Sequence, residues 1–251
     1  DEDFDKLTLE SVVEFYKTFY HSGNCTIIAS GKLSKDLIET LNRFFGKTTW
    51  GHVQAIPVPK VEIDTTKQQI HFIEKPETIQ SAVRVGRLMF NKKNPDYFKF
   101  QVLNTILGGY FGSRLMANIR EDKGYTYGIG SGLASLVNGG FFYISTEVGT
   151  DVTNDTLKEI YKEIKILREE LVDADELETV RNYVLGQFLR SVDGPYSLAD
   201  KFKAIWEFDL GYDYFEKYFE AVKTITPEEI KSLANTYLQE KDLIELVVGK
   251  K

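Results

Sequence analysis

Apolar positions along the chain fall into blocks of helical and of strand spacing, and the blocks predict helices and strands in alternation. Val12, Phe15, Phe19 and Tyr20 share one helical face, and Thr8 ahead of them is a good N-cap. Residues 24–31, N-C-T-I-I-A-S-G, read as a buried strand. Ser34 opens a second helix carrying Leu37, Leu41, Phe44 and Phe45, with Gly46 as its stop. Residues 47–66 hold Gly51, Pro57 and Pro59 without a period and predict a linker. Residues 68–74 and 80–90 alternate as strands do, and 95–107 return to helical spacing through Phe100, Leu103 and Leu107. Gly108, Gly109 and Gly112 predict a tight turn, followed by a short helix ending in the charged residues 120–123 and an aromatic, glycine-dotted strand over 124–132. A strand over 140–147 follows. Two amphipathic helices come next, through Leu157, Ile160, Ile164, Leu167 and Leu171, then Leu177, Val180, Val184, Leu185 and Phe188. Asp173 and Glu176 between them suit a capping box. Gly194 and Pro195 interrupt the pattern before aromatic-rich helices at 198–208 and 212–222. The chain closes with a helix from Thr226 and a strand ending at Gly249.

The closing unit repeats the opening one. Position 8 aligns with 226 at an offset of 218 without a gap, giving identities at Thr8/Thr226, Glu10/Glu228, Thr18/Thr236, Gly31/Gly249 and Lys32/Lys250. A repeat of that length predicts two similar domains, with residues 1–46 as the helix–strand–helix end of a first, 47–66 as the linker and 67–251 as a second.

Composition changes this picture little. The 251 residues are 42% hydrophobic and 27% charged, as in ordinary folded proteins. A net charge of −7 with no basic stripe argues against nucleic acid as a general partner. The single cysteine, Cys25, leaves no internal disulfide to form. No apolar run reaches the roughly 20 residues a membrane span needs.

Candidate chemistry concentrates in residues 103–132. Arg120 and Tyr127 are seven positions apart, expected at the same end of a sheet, and both residue types grip carbonyl or oxyanion oxygens. Tyr125, two residues from Tyr127 and on the same strand face, competes with it. The glycines at 108, 109 and 112 lack a Walker lysine or a G-x-G-x-x-G, so phosphate binding is set aside for a plain turn. Gly128, Gly130 and Gly132 thin the strand surface, which either admits an extended peptide or lets a packing neighbour close. The three histidines do not make a metal site. His71-Phe-Ile-Glu74-Lys75 lies in a predicted strand whose alternation sends His71 and Glu74 to opposite faces, and His21 and His52 read as surface residues.

L-G-G-Y-F-G-S-R-L followed by I-R-E-D-K-G-Y-T-Y resembles the second-half signature of the M16 zinc peptidases, the group of pitrilysin, insulysin and mitochondrial processing peptidase. T-L-E-S-V-V-E-F-Y-K-T-F-Y-H-S-G-N-C-T-I-I-A-S-G resembles the end of that family's first half, and Asp175-Glu176-Leu177 the start of a late helix. The resemblance implies an α+β, LuxS/MPP-like metallohydrolase fold: an antiparallel or mixed sheet with helices packed on one face. It implies a C-terminal, substrate-binding half of a zinc endopeptidase, in which Arg120 and Tyr127 are catalytic and peptide-binding; Gly128 and Gly130, on the thinned strand surface, are the further substrate-binding candidates. Zinc and the general base sit in an H-x-x-E-H motif that this sequence lacks, so no cofactor is expected in this chain. The expected partners are a peptide substrate, an N-terminal half or partner subunit, and a second copy of the chain if apolar surface is left uncovered. A non-catalytic scaffold subunit, or a peptide-binding module working by strand addition, are the alternatives.

Overall fold

A computed structural model describes residues 2–46, 50–51 and 68–250. The chain divides into two units, one comprising the described residues of 1–63 with 193–203, the other those of 64–192 with 204–251.

The larger unit is built on a five-stranded sheet: β1 (Ile70–Glu74), β2 (Gln80–Met89), β3 (Ile129–Leu136), β4 (Gly139–Gly149) and β5 (Ile244–Gly249), in the order β1-β5-β2-β4-β3. Only the β1–β5 pair is parallel, so the sheet is mixed and mostly antiparallel. Alternation explains its two faces. Val83 and Val85 of β2, Phe142, Ile144 and Val148 of β4 and Val247 of β5 are buried under helices, whereas Leu88, Phe141 and Tyr143 remain exposed. Its helices are α4 (Tyr97–Asn104), α5 (Thr153–Glu169), α6 (Ala174–Arg190), α8 (Asp213–Thr224) and α9 (Pro227–Tyr237); α7 (Pro195–Trp206) follows α6 in sequence, and its residues 195–203 belong to the smaller unit. Phe100, Leu103, Ile160, Ile164, Leu167, Leu177 and Val180 form the core with the covered sheet face. This is the α+β, mixed-sheet arrangement that the sequence predicts.

In the smaller unit, α1 (Glu2–Asp5) precedes α2 (Leu9–Phe19) and α3 (Lys35–Phe45). Thr8 caps α2 in a reciprocal box with Ser11, and Ser34 accepts from Leu37 N–H at 3.2 Å. The strand expected over 24–31 is absent. Residues 25–30 run without a sheet partner among the described residues and are largely exposed, because the backbone groups of a strand are satisfied only by a neighbour. His21, read as a surface residue, is buried here with neither ring nitrogen hydrogen-bonded. His52 and most of the predicted linker lie outside the described residues.

The internal repeat extends to secondary structure. α2 and α9 are both 11 residues long, and their ends, 9 and 227, 19 and 237, keep the offset of 218. Thr226 closes the same kind of capping box, with Glu229, and each helix is followed at that offset by a short 3-10 turn, Ser22–Asn24 and Glu240–Asp242. The environments differ. In α9 and just beyond it, Ile230, Leu233, Ala234 and Leu238 are buried; their counterparts Val12, Phe15, Tyr16 and Tyr20 are 53% to 59% exposed. Among the described residues of the smaller unit, α2 carries the apolar face of a core helix without a core to cover it.

Candidate functional site

The glycine-rich stretch is built differently from the simple turn and strand expected. α4 runs on as a π-helical turn, Thr105–Gly109, and a second π-helical stretch covers Met116–Asp122. Gly108 lets the first of these lie against β3: a Cβ there would come within 2.7 Å of Ser131 N and 2.6 Å of its Oγ. Gly124, at φ +66°, takes the left-handed conformation that ends the second stretch, with Tyr125 N–H donating back to the Ile119 carbonyl at 3.0 Å. The strand expected over 124–132 therefore begins only at Ile129. Residues 124–128 form a loop that closes on itself and on β4. Gly128 N–H donates to Thr126 Oγ1 at 3.0 Å, the hydroxyls of Thr126 and Thr146 lie 3.0 Å apart, and both reach the Gly128 carbonyl. Thr126 Oγ1 also lies 2.8 Å from the Glu147 carbonyl.

This loop joins Arg120 to Tyr127. Arg120 Nε donates to the Tyr127 main-chain carbonyl at 3.0 Å, so the phenol is left to project, 95% exposed. The Arg120 guanidinium carbon lies 4.8 Å from the centre of the Phe111 ring, and its Nη1 is 3.6 Å from Glu121 Oε1. Tyr125 turns the other way and packs against the hydrophobic core. Of the flanking glycines, Gly128 has nothing within 4 Å of a would-be Cβ, Gly130 has the Gly108 carbonyl at 3.4 Å, and Gly132 lies under the Tyr143 ring at 2.7 Å. Space for a main chain exists at Gly128; Gly132 accommodates a packing neighbour.

The far side of the 116–122 stretch is clamped by charge. The Asn118 amide donates to Glu159 at 2.9 Å and to the buried Glu163 at 2.6 Å, and Arg114 forms a two-pronged ion pair with Glu176. The Asn118 hydrogen bond, seconded by Lys162 and Lys123, holds the Glu159 carboxyl below its ordinary range. Asp173 caps α6 through Asp175 N–H alone; Glu176, expected in a capping box, turns instead to Arg114. Sequence reasoning missed Phe111, Thr126 and Thr146. Thr126 two residues before Gly128 is the spacing of a hydroxyl turn and was the one available signal.

Among the described residues no group of three or more His, Cys, Asp or Glu side chains could hold a metal ion. His71 sits in β1, its Nε2 2.9 Å from the Gln68 carbonyl. No helix among these residues is long and apolar enough to cross a membrane.

A mixed five-stranded sheet, helices on one face and a glycine-rich π-helical segment ahead of an edge strand place the larger unit in the α+β class. The family model described as the peptidase M16 inactive domain matches residues 6–184, and the chain belongs to that family. It is 24% identical over 184 residues to the uncharacterized zinc protease YmxG of Bacillus subtilis, covering 73% of this chain and 44% of that protein. It is 23% identical over 189 residues to the non-peptidase homolog YmxG of Helicobacter pylori, covering 74% and 42%. The chain thus spans less than half the length of these relatives. Its fold matches a peptidase M16 inactive domain from Pseudomonas fluorescens (TM-score 0.76, 22% identity, 98% of this chain and 58% of that one). It also matches a protease from Helicobacter pylori (TM-score 0.85, 15% identity, 99% and 60%).

Proposed function

We propose that this chain is the substrate-holding C-terminal part of an M16-type zinc-dependent endopeptidase, and that Arg120 and Tyr127 grip the peptide carbonyl at the bond to be hydrolysed. The observation that carries this reading is the single link between them: the arginine is tied to the tyrosine's main chain, so guanidinium and phenol leave one locked loop together. As a carbonyl becomes tetrahedral, negative charge grows on its oxygen, and two such donors bind the later state more strongly than the earlier one. The outward phenol favours Tyr127 over the core-packed Tyr125. Gly128 and Gly130 would border the peptide main chain. Metal and water-activating base would come from an N-terminal half or a partner subunit; among the described residues no group of three or more His, Cys, Asp or Glu could hold a metal ion. Residues 1–46 would belong to that first half, a reading supported by the bare apolar face of α2 at the positions α9 buries.

The second reading, a non-catalytic partner subunit, is favoured by one relative named as a non-peptidase homolog. Strand addition at β3 finds less support, because part of the strand's outer edge is already used: Ile129 N–H points at Met116 Sδ and the Ser131 carbonyl accepts from Asn104.

The test is made in the complete gene product with any subunit that co-purifies. Arg120→Ala and Tyr127→Phe are expected to lower peptide turnover at least tenfold while changing KM less. Unchanged turnover in both variants of an active enzyme would return the pair to a structural role. A complete protein without peptidase activity would select the second reading.

A further inference from the structure

Resting on the reading of Arg120 as the peptide-holding arginine, we propose that Phe111 is its positioning residue, a ring that fixes the guanidinium so that only its terminal nitrogens face the substrate. Phe111 is 63% exposed, a large apolar side chain that contributes little to the core. The turn that presents it is nevertheless firmly held. Tyr110 before it stacks on Tyr183 at 4.8 Å, Gly112 after it lies beneath the Tyr110 ring, where a Cβ would approach to 2.9 Å, and Ser113 N–H donates to the Tyr110 carbonyl at 3.2 Å. The ring is thus held outward at 4.8 Å from the Arg120 guanidinium carbon.

The groups on the guanidinium divide cleanly. The Phe111 ring covers it, and the Nε edge is spent on the Tyr127 carbonyl at 3.0 Å. Glu121 stands 3.6 Å from Nη1, beyond hydrogen-bond distance. The Nη edge keeps its donors for a peptide oxygen. Covering the ion also removes water from one side, which strengthens the remaining hydrogen bonds, and a stacked arginine has less rotamer freedom to lose on binding.

The complete protein, labelled with 15N-arginine, reports the contact directly through the Arg120 Nε–Hε resonance, assigned by its loss in Arg120→Lys. A fluorescein-labelled random decapeptide library, followed by anisotropy, reports binding. Phe111→Leu and Phe111→Thr are expected to move the Arg120 resonance as the ring current disappears and to weaken peptide binding about two- to fivefold. Phe111→Trp is expected to restore affinity, which a merely structural apolar contact would not require. An Arg120 resonance unmoved in both Leu and Thr variants overturns the proposal, as does parental affinity in those variants where Arg120→Ala has lost it. If Arg120→Ala itself binds the library like the parent, the arginine acts on the transition state alone; its turnover then decides the peptide-holding reading, and the resonance decides whether Phe111 fixes the arginine.

Discussion

Arg114 and Glu176 meet across 62 residues of chain in two parallel hydrogen bonds, Nε to Oε1 at 2.9 Å and Nη2 to Oε2 at 2.7 Å. The fork ties the first turn of α6 to the residues just ahead of the stretch that carries Arg120. It also raises the arginine's own pKa, the Glu176 hydrogen bond being the largest cause. Both side chains are partly exposed, so the pair is worth less than a buried one. Arg114→Ala should cost about 1–2 kcal/mol, and Arg114→Lys, which keeps the charge but not the fork, about half of that. Denaturation midpoints read the difference; equal midpoints for all three proteins would show that the fork stabilises nothing.

Most elements were legible because their signals are local. Thr8, Ser34 and Thr226 cap helices from the positions where their residue types predict caps, and the alternation in β2 and β4 set the buried faces. What escaped the sequence depends on distant partners. Residues 25–30 have strand composition but no neighbour to pair with among the described residues, and Glu176 had two possible destinations, of which the Arg114 side chain prevailed over a cap. The site was half legible: spacing and signature pointed to Arg120 and Tyr127, whereas the π-helical turns, the pair Thr126/Thr146 and the Phe111 ring arise only once β3 and the helices are packed together.

Acid should unfold the larger unit in part through two glutamates. Hydrogen bonds from Asn118 to Glu159 and from Lys99 to Glu229 hold both carboxyls below their ordinary range. A depressed carboxyl contributes stability above its unfolded pKa of about 4.3 and loses it as pH falls through the lower folded value. The stability gap between the parent and Asn118→Ala, or Lys99→Met, should therefore be wider at pH 6 than at pH 3. A gap independent of pH in thermal melts would separate these bonds from the titration.

Glu245 carries the opposite sign. Burial raises its carboxyl pKa, more than the Tyr161 hydroxyl hydrogen bond lowers it. The folded state then holds that proton more tightly than the unfolded one, and stability is lost as pH rises from the unfolded value through the folded one. Glu245→Gln keeps an acceptor for Tyr161 and removes the ionisation. Its melting temperature should exceed the parent's at pH 7, with the advantage shrinking below about pH 4.3. A variant less stable than the parent at pH 7 would contradict the assignment.

Two glycines in the signature should respond differently to a methyl group. At Gly108 a Cβ meets Ser131 backbone, so Gly108→Ala must push the π-helical turn off β3, at about 1–3 kcal/mol. At Gly128 a Cβ meets nothing within 4 Å, and Gly128→Ala should leave the melting temperature unchanged while weakening peptide binding in the complete protein. Parental affinity in Gly128→Ala would mean that the peptide main chain does not pass there.

The repeat makes a prediction that the two units test against each other. Ile230 is fully buried on α9, and Ile230→Ala should cost about 2–4 kcal/mol. Val12, at the same place in the repeat, is 53% exposed on α2, and Val12→Ala in this chain should change stability by less than about 0.5 kcal/mol. If residues 1–46 complete a first domain, the complete gene product supplies the sheet that α2 lacks, and Val12→Ala becomes costly there because the same apolar face is then covered. The comparison needs only two denaturation curves in each protein. A Val12→Ala variant that stays neutral in the complete protein would show that sequence and helix length were repeated without a second core, and would separate residues 1–46 from any sister domain.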